Sequence, residues 1–333
     1  MDTHSNELNK DIINLIHKIE IIKYKIINPK LKLNHIIHNL TENDGQLEID
    51  RIVSSIFDFT PQNKEFIKNK WDRFISKNEN PYLSLYIHIP FCIKRCSFCE
   101  YYSTLLEDKK ELDRYLTYLE DEIKYFAPIF VKNKFKNIYI GGGTPTILND
   151  EQLEKLFKII YKYFNIERDG QHTLEISPYV INKKQIDIAD KYVNRISVGI
   201  QSLDKDVLNK NNRPYVTYDK LKELFLYIKE KNFKSFDVDF ILGLDGDTTE
   251  TFIKGFENLL KLGPYSIALY KLHNGFDTPD LINKKYPKQE GNINISKDYH
   301  FSEYSMNSIL NNIIPLLNKY NYLGSNSTQY KTP

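Results

Sequence analysis

Cys92, Cys96 and Cys99 are the only cysteines of the chain and fall within eight positions, in the run LYIHIPFCIKRCSFCEYYS. Three thiolates on so short a loop can converge on one metal centre. On a cubic four-iron cluster they would hold three corners and leave one iron without a protein ligand, open to a substrate or cofactor. A disulfide framework suits the trio poorly: the count is odd, the chain is large, and we expect no signal peptide ahead of it. A zinc site would need His88 as a fourth ligand, yet structural zinc commonly takes ligand pairs from two separate loops and no second pair is present. An inert buried group of thiols is the remaining alternative.

The spacing Cys-x3-Cys-x2-Cys, with the aromatic Phe98 just before the last cysteine, resembles the cluster loop of the radical S-adenosylmethionine superfamily. The preceding Tyr-Ile-His-Ile-Pro-Phe, residues 86–91, narrows the likeness to the branch typified by oxygen-independent coproporphyrinogen dehydrogenase, with its haem-chaperone and methyltransferase relatives. The resemblance implies a [4Fe–4S] cluster on Cys92, Cys96 and Cys99. Its unique iron would be chelated by the amino and carboxylate groups of S-adenosylmethionine. One electron then splits the sulfonium into methionine and a 5′-deoxyadenosyl radical. One or two molecules of S-adenosylmethionine, a small-molecule substrate and an electron donor such as flavodoxin or ferredoxin belong to that expectation.

Such a loop needs a scaffold. Six apolar, β-branched runs are expected as strands: Leu83–Ile89, Asn137–Gly141, Thr173–Ser177, Arg195–Ile200, Ser235–Leu242 and Tyr265–Leu272. Amphipathic segments near 108–131, 150–165, 180–193, 216–231 and 248–262 separate them. Strands alternating with helices imply parallel pairing through right-handed crossovers. Six units are too few for a closed eight-stranded barrel, so the reading is an α/β fold, an open (β/α)6 partial TIM barrel. The same fold follows from the resemblance.

In parallel barrels chemistry gathers where the strands finish. The cysteine loop follows the first strand, Gly141-Gly142-Gly143-Thr144 ends the second, and Glu175 lies in the third. Gln201 follows the fourth, Asp239 is late in the fifth, and Tyr270 and His273 end the sixth. The glycine run is by itself a weak signal, since glycines also make plain turns. Directly after a strand, absent side chains let a ligand reach backbone groups. Asp237 and Asp239 share a strand face, and two acids turned toward a barrel interior need partners or donors. Asp237 is read as a structural hydrogen-bonder, and His88 likewise.

The resemblance assigns cofactor-binding roles to further residues. Gly141, Gly142, Gly143 and Thr144 match the segment that meets the methionyl amino group, and Glu175 matches a residue that helps hold the methionyl group. Arg213, in NNRPY, aligns with an arginine near the carboxylate, a task suited to its fixed donor fork. Gln201, in RISVGIQSLD, falls beside the cofactor, Asp239 near the ribose hydroxyls, and Tyr86 and Phe98 on the cofactor side. No catalytic base is assigned, because hydrogen-atom abstraction by a carbon radical does not require one.

Residues 46 basic to 44 acidic leave a net charge of +2, so no electrostatic case exists for nucleic acid or an anionic membrane. No apolar run has the length of a transmembrane helix, and free cysteines suit a reducing cytoplasm. The expected organisation is a helical N-terminal extension over 1–80, a radical S-adenosylmethionine core over 81–275 and a short C-terminal helical segment over 276–333. The extension should contain an isoleucine-rich amphipathic helix ending at Pro29 and a second helix around Lys64–Ser76.

The likeness covers about residues 82–275, with departures. Coproporphyrinogen dehydrogenases carry another cysteine two positions past the third, whereas Glu100 and Tyr101 follow Cys99 here. The motif Gly-Leu-Pro-x-Gln-Thr becomes Gly243-Leu244-Asp245-Gly246-Asp247-Thr248. The C-terminal accessory domain common to the branch is expected to be missing, with Asn321–Tyr330 faintly resembling its start. Three functions follow from this: a radical oxidoreductase or methyltransferase, a haem-binding chaperone of the same fold, or a non-catalytic metal-binding protein.

Overall fold

Strict alternation along the strands sorts side chains into two faces. In β1 (Leu83–Ile89), Leu83, Ile87 and Ile89 are buried, while Ser84, Tyr86 and His88 face the other way. The computed structural model describes residues 64–78, 81–99, 101–272, 303–326 and 329–331. The isoleucine-rich segment before Pro29, Glu100 and His273 lie outside them. The chain divides into two units, Met1–Ile67 and Lys68–Pro333, and the site belongs wholly to the second.

The cysteine loop carries a short parallel pair, β2 (Phe91–Cys92) with β3 (Thr104–Leu105). The main sheet continues with β4 (Lys134–Gly142), to which β5 (Asn165–Ile166) adds a short flanking pair, then β6 (His172–Ile176), β7 (Arg195–Gln201), β8 (Ser235–Leu242) and β9 (Ser266–Lys271). The order β1-β4-β6-β7-β8-β9 is that of the sequence, and every neighbour in it is parallel. This is the expected open six-unit partial barrel.

Before the sheet runs α1 (Lys64–Lys77), where a helix over Lys64–Ser76 is expected. Between strands lie α2 (Lys110–Phe126), α3 (Asp150–Tyr163), α4 (Lys183–Ala189), α5 (Lys205–Lys210), α6 (Tyr218–Lys229) and α7 (Thr249–Leu262). Three of them start on reciprocal caps that end the preceding loop sharply: Asn149 with Gln152, Asn182 with Gln185, and Thr248 with Thr251. Gly263 stops α7 in the left-handed region at φ 64°. The helices cover the apolar face, where Ile140, Leu174, Val198, Val238, Phe157 and Phe256 are fully buried.

After β9 the sheet gains a hairpin, β10 (Leu323–Asn326) with β11 (Gln329–Lys331), and β11 pairs antiparallel with β9. It follows α8 (Glu303–Lys319), which packs against α7. The C-terminal segment therefore carries sheet as well as helix. Among the described residues no helix is long and apolar enough to cross a membrane.

The opposite face of the sheet is polar. At its lower level Asp237 accepts from Arg195 and from Ser266 Oγ, and Arg195 Nη1 also donates to Thr173 Oγ1 at 3.2 Å. Toward the strand ends Tyr139, in register with Thr173, reaches up to Glu175, and Ser197 donates to Asp239, two residues beyond Asp237. Asp237 thus has the structural partners expected of it, and the guanidinium beside it supplies countercharge to a lumen holding three carboxyls.

Candidate functional site

Pro90 ends β1 and the chain turns into the cysteine loop, whose two arms are tied together. Thr104 N donates to Pro90 O at 2.7 Å and Leu106 N to Cys92 O at 3.0 Å. Inside the loop Arg95 is 6 % exposed and donates from Nη1 to both the carbonyl and the hydroxyl of Ser103 at 2.9 Å. A buried cation thus folds the loop around itself. A tight turn, Cys99 N to Cys96 O at 3.2 Å, brings the last two cysteines together with half-buried Phe98 in the bend.

Cys92 and Cys96 are buried and Cys99 half-buried. Burial pushes the thiols of Cys92 and Cys99 up, Cys99 to about 11, and the proximity of Cys96 adds to it. Donors from two other loops reach these sulfurs. Thr144 Oγ1 lies 3.5 Å from Cys92 Sγ and Arg213 Nη1 3.4 Å from Cys96 Sγ. Three crowded thiols are easily ionised only when positive metal replaces their protons. Among the described residues no three Cys, His, Asp or Glu side chains are placed to hold a single metal ion. A cube gripped at three corners sets its ligands farther apart than one ion does.

The glycine run beside the loop is required by close approach. A Cβ on Gly143 would stand 2.6 Å from Phe91 O and 2.9 Å from Cys92 Sγ. Gly142 has φ 115°, which side chains rarely adopt, and its N–H donates to Glu175 Oε2 at 3.2 Å. Tyr139 holds the other oxygen of Glu175, donating to Oε1 at 2.6 Å. Burial nonetheless raises the Glu175 carboxyl, against the pull of these two bonds.

Asp239 is set across the lumen, its Oδ2 accepting from Ser197 Oγ at 3.3 Å. Burial, and then the charge of Glu175, push it up to about 7. Gln201 ends β7 with φ 71°, and its buried Oε1 finds no hydrogen-bond partner among the described residues. Such an orphan acceptor could take donors from a ligand. Arg213 lies over the ring of Tyr179 at 5.7 Å and donates to Gly199 O, which aims its fork along the rim between β7 and the cysteines.

Tyr86 is half-exposed at the mouth, and its hydroxyl meets His88 Nδ1 at 2.9 Å. Nε2 of the same ring is 2.8 Å from Tyr102 O. A carbonyl only accepts, so the proton sits on Nε2 and Nδ1 accepts from Tyr86. His88 is therefore a structural hydrogen-bonder, as expected. Burial, and then Glu175, push the Tyr86 hydroxyl up to about 12; burial, and then Asp239, do the same for Tyr270.

Of the residues singled out from the sequence, the structure joins Cys92 to Thr144, Cys96 to Arg213 and Gly142 to Glu175, keeps Tyr86 and Asp239 within reach of the Glu175 charge, and sets Phe98 in the cysteine turn and Gln201 at the end of β7. Sequence reasoning missed Tyr139, Ser197 and Tyr179. Tyr139 was within reach, because it lies two residues before Gly141 and shares its strand face.

Residues 86–258 match the family described as the Radical SAM superfamily. The chain is 31% identical over 220 residues to the heme chaperone HemW of Buchnera aphidicola subsp. Schizaphis graminum, across 64% of this chain and 56% of the relative. It is 33% identical over 189 residues to the oxygen-independent coproporphyrinogen III oxidase of Escherichia coli, across 56% of this chain and 41% of the relative. The solved structure of coproporphyrinogen III oxidase (HemN) from Escherichia coli superposes with a TM-score of 0.70 at 27% identity, covering 79% of this chain and 58% of that one. The chain spans about half the length of the curated relatives it matches.

Proposed function

This chain belongs to the radical SAM superfamily, whose members use a [4Fe–4S] cluster and S-adenosylmethionine, and from that premise we propose that it is a radical enzyme acting on an organic small molecule. When bound, the reduced cluster and S-adenosylmethionine supply a 5′-deoxyadenosyl radical that takes a hydrogen atom from the substrate, for oxidation or for transfer of a methyl or other carbon unit. The observation that carries the reading is that Thr144 reaches Cys92 and Arg213 reaches Cys96, while the glycine segment packed against Cys92 holds Glu175 through the Gly142 N–H.

In this reading Cys92, Cys96 and Cys99 hold three irons. Gly142 and Gly143 bring bare backbone against the cysteine loop, with Gly141 and Thr144 completing the wall on the amino-group side. Glu175 accepts from the methionyl ammonium, and Arg213 pairs with the carboxylate. Asp239 accepts from ribose hydroxyls and Gln201 supplies an acceptor beside them. Tyr86 and Phe98 shield the cofactor side from water. The electron comes from a donor such as flavodoxin or ferredoxin.

A haem-binding chaperone of the same fold is the second reading. It is favoured by Tyr101 standing where coproporphyrinogen dehydrogenases carry their additional cysteine. Anaerobic reconstitution followed by reductant and S-adenosylmethionine separates the two. Formation of 5′-deoxyadenosine that disappears in Cys96→Ala, with the fold retained, supports the enzyme. Stoichiometric haem uptake without cofactor cleavage supports the chaperone, and zinc without acid-labile sulfide sinks both.

A further inference from the structure

Asn211 follows α5, far in sequence from the cysteine loop, and is only 2 % exposed. Its side chain is fully used. Oδ1 accepts from Ser97 Oγ at 3.2 Å and from Asp245 N at 3.3 Å. Nδ2 donates to Asp245 O at 3.0 Å and to Val207 O at 2.7 Å. The alternative amide orientation would set its NH2 against the Asp245 N–H and its oxygen against two carbonyls, so this network admits one placement.

The backbone takes part as well, for Asn211 O accepts from Ser97 N at 3.1 Å. The next residue, Asn212 at φ 52°, donates Nδ2 to Arg95 O at 2.8 Å. Arg213 follows with its donation to Cys96 Sγ. Three consecutive residues thus grip Ser97, Arg95 and Cys96, and the first also grips the loop after β8. One of the two bonds in that second grip comes from the N–H of Asp245, which stands where the related motif has proline, a residue without an N–H to give.

We propose that Asn211 is a positioning residue that joins the cysteine loop around Cys96 to the loop after β8, so that the two open and close as one unit. A satisfied buried amide bonded to two loops in opposite directions transmits the loss of either to the other. The proposal rests on Cys96 being a cluster ligand only where iron retention is concerned; the coupling of the loops stands without it.

Hydrogen exchange of the cluster-free chain under anaerobic, reducing conditions tests the coupling. Asn211→Leu keeps the branched shape at a slightly larger volume and removes the bonds. Protection is expected to fall about tenfold together in residues 95–99 and 245–247, with β6 unchanged. Asp245→Pro, which deletes one of the bonds, should move both loops in the same direction by less, and it carries the test should Asn211→Leu fail to fold. In the loaded protein, chelator-driven iron loss should accelerate about tenfold. The electron paramagnetic resonance of the reduced cluster should broaden into more than one population, a signature that generally lowered stability would not produce. Unchanged exchange, or faster exchange confined to residues 95–99, overturns the proposal. A wild-type chain that takes up no iron overturns the cluster reading instead, while the exchange experiment still decides this one.

Discussion

Tyr139 on β4 donates a 2.6 Å hydrogen bond to Oε1 of Glu175 on β6, and Gly142 N reaches the other oxygen. The carboxylate is aimed from both sides before any ligand arrives. The pair is possible because β4 and β6 run parallel in a register that sets Tyr139 beside Thr173, so the longer tyrosine reaches up to Glu175.

Removing the hydroxyl in Tyr139→Phe takes away one of the two bonds that oppose the upward push of burial on Glu175. The carboxyl is then pushed up further and aimed from one side only, and its hold on an ammonium weakens. Equilibrium binding of S-adenosylmethionine to the loaded protein should weaken about tenfold at pH 7. Equal affinities at pH 7 would sever Glu175 from cofactor binding.

Asp239 yields a pH dependence of stability with a definite sign. Its folded value, about 7, lies above the ordinary 3.8, so its neutral form favours folding at acid pH. That contribution is full below about 4 and is lost as pH rises through 7. At pH 8 the buried charge costs at most about 4 kcal/mol, counting about 1.4 kcal/mol per unit. Asp239→Asn should therefore raise the melting temperature of the cluster-free protein at pH 8 and change it little at pH 4. The same variant should bind S-adenosylmethionine more weakly. A stabilisation equal at both pH values would remove the burial argument.

The scaffold was legible in the sequence because its signal is local. The bounds of Leu83–Ile89 and Ser235–Leu242 follow directly from apolar runs closed by turn residues, and each strand end announces its polar residue. The hairpin of Leu323–Asn326 with Gln329–Lys331 was not legible, for its strands are too short to show alternation. The bonds of Ser97 to Asn211 and of Arg95 to Asn212 cross more than a hundred residues. Neither partner has a local pattern to betray them. Tyr179 was hidden for another reason: after Pro178 it reads as a loop aromatic, and only the fold brings Arg213 over its ring.

Gly143→Ala tests the tight wall behind the cysteines. The new methyl carbon would meet a backbone carbonyl at 2.6 Å and Cys92 Sγ at 2.9 Å, and the carbonyl cannot swing aside as a flexible side chain could. Either the loop or the glycine segment must move, and Cys92 moves with it. Iron and acid-labile sulfide per chain after reconstitution should fall to a minor fraction of wild type while circular dichroism is retained. Full loading would show that the wall yields and that the glycine answers to backbone geometry alone.

Arg213 stands between two tasks, since the guanidinium that would pair with a carboxylate already donates to Cys96 Sγ at 3.4 Å. A hydrogen bond to a cluster sulfur stabilises the more negative, reduced state, and a fixed positive charge adds to it. Arg213→Gln removes the charge and shortens the reach. The cluster should become harder to reduce, by about 60 mV if the lost interaction is worth about 1.4 kcal/mol in this one-electron couple. An anaerobic redox titration without S-adenosylmethionine reads this effect apart from any loss of cofactor binding. Arg213→Lys, which keeps the charge without the fork, should fall between the two proteins. A potential that does not move in either variant would confine Arg213 to the carboxylate and leave the tuning of Cys96 to its backbone neighbours.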